Sequence, residues 1–236
     1  MTRQLENTVA LITGSSSGIG AATARRLAAE GAAVALVARR RDRLDDLAAE
    51  IRADGGTALV VPADVTSQQH DPGVADHDVE PALDAPIDEW DQMVALNVQG
   101  MLYIAHAALP HLVRAAEDPP RRVADLVTIS STGGRVARPG SGVYNLTKFG
   151  AAAFSEALRQ EMVSRRVRVS VVEPGTVDTE LITHLREDIR QAASSQTASI
   201  EPLRPDDIAD TVAYIVTRDR RVAVNEILVR AAEQTW

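Results

Sequence analysis

The sequence predicts an α/β protein: one domain, residues 1–236, built on a parallel sheet with helices on its faces. Three observations carry this. Short β-branched or apolar runs alternate with longer helical patterns along the chain, the form that a parallel sheet with crossover helices takes in sequence. The first run passes through a glycine-rich turn directly into a helical pattern. The chain's 236 residues, 45% of them hydrophobic, are enough for one large core. Strands are expected at 9–13, 33–38, 58–62, 123–130, 167–173 and 226–230, each short, apolar and bounded by Gly, Pro or charge. Helices fit 19–30, 41–54, 87–117, 143–165 and 206–217, with Pro205 opening the last at a favoured first-turn position.

Composition narrows the function classes. A net charge of −8 and an aromatic content of 3% argue against nucleic acid, and Arg39-Arg40-Arg41 is too short a run to line a polyanion groove. The chain has no cysteine, so it has no disulfide and no thiolate chemistry, which fits a reducing compartment. The N-terminus is polar and carries Glu6, unlike a signal peptide, and no apolar run reaches membrane-spanning length. A cytoplasmic protein with no membrane contact is expected.

The first strand runs into Thr13-Gly14-Ser15-Ser16-Ser17-Gly18-Ile19-Gly20 and then a helix. Glycines let the backbone turn tightly against a pyrophosphate, and the helix N-terminus presents unpaired N–H groups and a partial positive charge to it. A plain strand-to-helix turn also explains a glycine triplet, but strand, loop and helix here agree. After the second strand comes Ala38-Arg39-Arg40. A fold that prefers NAD(H) usually places an acid there for the ribose 2′-hydroxyl, whereas arginine pairs with a 2′-phosphate. The acid is absent, so NADP(H) is expected over NAD(H), with Arg39 and Arg40 as its ligands; the plainer alternative is that Arg39, Arg40 and Arg41 are a solvated helix start. Asp64, before Val65, fits two roles equally, an adenine contact or a helix cap.

Lys148 is the only lysine, against 24 arginines, and it follows Tyr144 by four residues. At that spacing the phenol and the ammonium share one helix face. A compact cation there favours phenolate, which suits a tyrosine that exchanges protons. A solvated helix pair is the plainer alternative.

Taken together, the Thr13–Gly20 loop, Asp64-Val65, Asn97 in Leu96-Asn97-Val98-Gln99-Gly100, Ser131 thirteen residues before Tyr144, the Tyr144/Lys148 pair and Pro174-Gly175-Thr176-Val177-Asp178-Thr179 resemble the short-chain dehydrogenase/reductase family over nearly the whole chain. The resemblance implies a doubly wound, Rossmann-type parallel sheet that binds a nicotinamide dinucleotide along its C-terminal strand edges. Gly14, Ser16, Ser17, Gly18, Ile19 and Gly20 would then hold the phosphates, and Asp64 and Val65 the adenine side. Tyr144 would pass a proton to or from the substrate oxygen, and Ser131 would hydrogen-bond the same oxygen. Lys148 would bind the nicotinamide ribose and Asn97 would hold a relay water, while Pro174, Val177 and Thr179 would flank the carboxamide. A small carbonyl or alcohol substrate is implied, as is a homodimer or homotetramer built through the helices that carry Asn97 and Tyr144.

One stretch departs from the family. Between Asp64 and Trp90 the usual helix, strand and Asn-Asn-Ala-Gly turn are missing, and the acidic, proline-broken connector 67–86 stands in their place. Either the sheet closes up, which brings the strand before Ser131 beside the first strand and shifts Ser131 by about 4.8 Å, or an irregular strand keeps the spacing open. His70, Asp71, Asp76, His77 and Asp78 in the connector match no closed metal site, and no metal is expected. Residues 183–202 read as a substrate lid in which His184 is a surface histidine. The function expected is interconversion of a ketone or aldehyde with an alcohol. The alternative is the same fold without ordinary redox turnover, as a dehydratase or cyclase using Tyr144 as an acid, or as a regulatory or assembly partner.

Overall fold

In the computed structural model, residues 3–66, 85–180 and 200–235 are described. The connector positions 67–84, with their histidines and aspartates, and most of the expected lid, with His184, lie outside these residues.

The first half is a β-α-β-α-β unit. Strand β1 (Val9–Thr13) leads to helix α1 (Gly18–Ala29), β2 (Ala33–Ala38), α2 (Arg41–Ala53) and β3 (Thr57–Pro62). The three strands are parallel, in register from Val9↔Ala33 and Ala33↔Thr57, with β2 in the middle. Helix α2 buries Leu44, Leu47, Ala48 and Ile51, one apolar stripe at helical spacing, and leaves its charges outward.

The second half begins with α3 (Ile87–Val94), a π-helical turn (Ala95–Gly100) and α4 (Met101–Ala115). The single helix expected over 87–117 is therefore interrupted at its centre. Together the three pieces run for 29 residues, long and apolar enough to cross a membrane by length and composition, which corrects the expectation that no apolar run reaches that length. Strand β4 (Ala124–Ile129), helix α5 (Gly142–Met162), β5 (Val167–Pro174), α6 (Pro205–Val216) and β6 (Glu226–Val229) complete the order. Pro205 opens α6 as expected, and the Asp207 carboxylate accepts the Arg204 N–H at 2.7 Å.

β4, β5 and β6 form a second parallel sheet with β5 in the middle, and every residue of β5 is buried. Among the described residues β1 does not pair with β4, so the sheet has not closed up as the first alternative required. A cavity of about 1020 Å³ separates the two strands, and Val9 and Leu11 of β1 stay 79% and 55% exposed beside it. The strand before Ser131 thus keeps its distance from β1. The cavity's lining runs the length of both strands, from Val9 and Ala124 at their N-terminal ends to Thr13 and Ile129 at their C-terminal ends.

One core cluster joins the halves. Helices α1 and α6 pack together on one face, with Ala24, Leu27 and Ala28 meeting Ile208, Val212 and Ile215 over Leu36 and Val172. At the N-terminal end of β4 and β5, Arg168 and Asp125 are each 7% exposed and pair through two bonds of 2.6 and 3.0 Å. Arg168 also donates to the Arg218, Asp219 and Val222 carbonyls, which ties the chain after α6 to the sheet.

Candidate functional site

The loop after β1 is shaped by its glycines. Gly14 and Gly18 have φ of +64° and +50°, the left-handed region that favours glycine. A Cβ on Gly20 would lie 2.4 Å from the Gly14 oxygen, so the first turn of α1 sits directly on the loop. Ser15 is fully buried and holds the loop to β2, its N–H and its hydroxyl each 3.3 Å from the Val37 oxygen. Ser17 stands at the N-cap of α1, but its side chain makes no cap bond. The N–H groups of Gly18, Ile19 and Gly20 consequently have no partner within the helix and point out of its N-terminus.

Arg40 lies over this loop. Its Nη2 donates to Ser16 Oγ at 3.1 Å and Ser17 Oγ at 2.9 Å, and Nη1 and Nη2 reach Glu180 Oε2 at 3.1 and 3.2 Å. Those bonds hold the Glu180 carboxyl below the usual carboxylate range. Arg39, Arg40, Asp64, Val65, Asn97, Lys148, Thr179 and Glu180 all line the large cavity with Gly14, Ser16, Ser17, Gly18, Ile19 and Gly20. Asp64 closes a local turn, its Oδ1 accepting the Thr66 N–H at 2.9 Å and hydroxyl at 2.7 Å. A Cβ on Gly100 would stand 3.1 Å from Val65 Cγ2, so Asp64-Val65 also seats the π turn.

Asn97 occupies that π turn, an element found frequently at functional sites. Its Nδ2 donates to Thr147 Oγ1 at 3.2 Å, and Thr147 Oγ1 donates to the Tyr144 carbonyl at 2.8 Å. The long helical run is thereby registered against α5. Lys148 Nζ is 5.7 Å from the centroid of the Tyr144 ring and 3.5 Å from the Ile129 oxygen at the end of β4.

Ser131 follows β4 and caps a short 3-10 turn, Thr132–Gly134, its Oγ accepting the Gly133 N–H at 3.1 Å. The Tyr144 ring packs on that turn, where a Cβ on Gly133 would be 2.7 Å from Tyr144 Cε1. Buried Asn145 locks the same turn: Nδ2 donates to the Gly133 oxygen at 2.7 Å and Oδ1 accepts the Arg138 N–H at 3.0 Å. Tyr144 itself lines a second cavity of about 360 Å³, with Trp90, Met93 and Arg138. Lys148 lines the large cavity and Tyr144 the smaller one, so the pair stands between the two.

The segment after β5 is only partly as expected. Thr179 reaches the phosphate loop, since a Cβ on Gly18 would come 3.3 Å from Thr179 Cγ2. Pro174 and Val177 line neither cavity: Pro174 ends β5, and Val177 bridges to Leu203 and packs on the core. Gln234, near the C-terminus, receives the Thr176 N–H at 3.0 Å and steadies the turn. Sequence reasoning missed Glu180, Asn145, Gly133 and Gln234. For Gly133 the doubled glycine before the tyrosine was an available signal, whereas Glu180 meets its partner only in three dimensions.

A glycine-rich loop that leaves no room for a side chain at Gly20, an uncapped helix N-terminus and a guanidinium beside it fit a dinucleotide phosphate, and Lys148 lines the same cavity. The short chain dehydrogenase family model matches residues 8–77 and 72–190. The chain belongs to the short-chain dehydrogenase/reductase family, oxidoreductases on a nucleotide-binding Rossmann fold. An uncharacterized oxidoreductase of Listeria monocytogenes is 30% identical over 252 residues, covering 98% of this chain and 99% of that one. Glycine betaine reductase of Emericella nidulans is 32% identical over 248 residues, but this chain spans only 19% of that protein. Among solved structures, the closed form of a serine dehydrogenase complexed with NADP+ superposes with a TM-score of 0.85 at 26% identity, covering 97% of both chains. A short-chain type dehydrogenase/reductase from Mycobacterium marinum gives 0.83 at 25% identity, covering 99% and 98%.

Proposed function

We propose that this chain is an NADP(H)-dependent oxidoreductase, a single dinucleotide-binding domain that interconverts a ketone or aldehyde with an alcohol. The observation that carries this is that the glycine-rich loop, Arg40 and Lys148 line one cavity, with the Tyr144 ring beside Lys148. When bound there, the nicotinamide supplies hydride to a carbonyl carbon or accepts it from an alcohol. The first turn of α1 binds the diphosphate through its free N–H groups, and Arg40 pairs with a 2′-phosphate. Lys148 holds the nicotinamide ribose from the floor of β4. In reduction the Tyr144 hydroxyl gives its proton to the carbonyl oxygen as the C–H bond forms, and in oxidation it takes that proton back. Ser131 hydrogen-bonds the same oxygen and keeps it at the phenol. Asn97 holds a water that returns protons through Lys148 from solvent.

The solved relatives with NADP+ or NADP and with NADH support a nicotinamide cofactor. The exposed apolar residues of the long helices, Ile87, Leu102 and Tyr103 on one and Leu146 and Phe149 on the other, support a homodimer or homotetramer. A cytoplasmic location follows from the same soluble-enzyme reading.

Calorimetric titration with NADPH and NADH tests this. Micromolar NADPH binding is expected, weaker by about tenfold or more in Lys148→Ala and Arg40→Ala, with NADH hardly affected by the second change. Absence of binding by either cofactor would reject the proposal in favour of a family member without redox turnover.

A further inference from the structure

We infer that Glu180 narrows the cofactor preference of this protein: it holds the Arg40 guanidinium, so that a 2′-phosphate has to displace a carboxylate to bind. The inference rests on the proposed dinucleotide site and adds to it a residue that the site's chemistry does not otherwise require.

The acid that would hold a ribose 2′-hydroxyl is missing from the end of β2, where Ala38 stands. Glu180, 140 residues along the chain from Arg40, brings a carboxylate back to the same rim of the cleft. Its Oε2 takes two bonds from Arg40, at 3.1 and 3.2 Å, and its Oε1 lies 3.6 Å from Arg43 Nη1. The rest of the Arg40 fork is committed to the loop, with Nε 3.3 Å and Nη2 3.1 Å from Ser16 Oγ and Nη2 2.9 Å from Ser17 Oγ. Guanidinium has five N–H donors in a rigid plane, and both Nη1 and Nη2 of Arg40 donate to Glu180. A phosphate arriving here meets a carboxylate of like charge on the cation it needs. A neutral 2′-hydroxyl meets an acceptor instead, to which it can donate. Glu180 therefore weakens NADPH and favours NADH, and it narrows the preference that Arg40 alone would impose. The Arg40 bonds hold the carboxyl below its usual range, which favours the ionised form. Both side chains of the pair are 39% exposed, so the effect is modest.

The test is calorimetric titration of the wild type and Glu180→Gln with NADPH, NADH, 2′,5′-ADP and 5′-AMP. The last two carry or lack the 2′-phosphate without engaging the nicotinamide end. In Glu180→Gln, NADPH and 2′,5′-ADP are expected to bind about three- to tenfold more tightly, while NADH and 5′-AMP bind equally or more weakly. High salt should shrink the difference. A ratio of 2′-phosphorylated to unphosphorylated affinities that stays within twofold of wild type overturns the inference, as does a parallel change in all four ligands. If no ligand binds wild type or variant, the dinucleotide site itself is overturned along with it. If NADPH binds both equally, only the role of Glu180 falls.

Discussion

Adding one methyl group at Gly20 should separate the two elements that make the proposed cofactor site. The Cβ of Gly20→Ala would stand 2.4 Å from the Gly14 oxygen, 2.7 Å from the Gly14 carbonyl carbon and 3.0 Å from Ser15 Cα. All three atoms are backbone, so no side chain can swing away. Carbon atoms pack at about 3.5–4.0 Å, so the first turn of α1 has to withdraw from the loop by roughly 1 Å. Overpacking of this kind costs about 1–3 kcal/mol, which in a chain of this length lowers Tm by about 2–12 °C. Binding should suffer more. Hydrogen bonds to charged groups contribute about 1.5–3 kcal/mol each, and loss of two from the α1 N-terminus weakens NADPH by roughly a hundredfold or more. Gly14→Ala makes a useful comparison, because a Cβ there meets nothing within 4 Å and the only penalty is a φ of +64°, about 1–2 kcal/mol. Calorimetric titration with NADPH, alongside thermal unfolding, separates the two effects. NADPH affinity in Gly20→Ala within threefold of wild type would refute the placement of the diphosphate on this turn, whatever happens to Tm.

Other outcomes follow from the same geometry. Gly133→Ala should push the Tyr144 ring, whose Cε1 would be 2.7 Å from the new Cβ, and lower kcat on the order of a hundredfold while leaving the NADPH Kd within twofold; an unchanged kcat on any accepted carbonyl would count against Tyr144 as proton donor. Asp125→Ala leaves the Arg168 guanidinium buried against carbonyls without its carboxylate, and urea unfolding should show a loss of about 3–5 kcal/mol; a loss under about 1 kcal/mol would mean that the carbonyls suffice. Glu173 has no exposed surface and one carboxylate oxygen without a hydrogen-bond partner, and burial raises its pKa against the opposing pull of Arg135. A carboxyl raised in the folded state contributes stability that is fully present below its unfolded pKa and is lost as pH rises through the folded value. The Tm of wild type relative to Glu173→Gln should accordingly fall as pH climbs above about 4.3 and then level off; a difference that grows with pH would reverse the assignment.

The elements were legible because each is decided within a few residues. Strands β1 and β2 coincide with the apolar runs that predicted them, and the other strands differ by no more than a residue at an end. The glycine cradle could be read because strand, loop and helix are contiguous, and the Tyr144/Lys148 pair because four residues make one helical turn. The π turn at Ala95–Gly100 was hidden, since one wider turn barely disturbs an apolar pattern of period 3.6. Val177 was expected at the cleft from its place in a motif, yet its bridge to Leu203 turns it to the core.

By itself the sequence determined the strand and helix order, the phosphate loop, the lone lysine one turn from a tyrosine, and the absence of an acid after β2. All of these follow from backbone periodicity, glycine stereochemistry and local spacing. Only the tertiary structure decided that β4 stands apart from β1, that Asn97 reaches α5 through Thr147, that Gln234 steadies the turn after β5, and that Glu180 returns a carboxylate to Arg40. Those contacts join residues 50 to 140 positions apart, and they depend on how the sheets and helices stack rather than on any pattern within one segment.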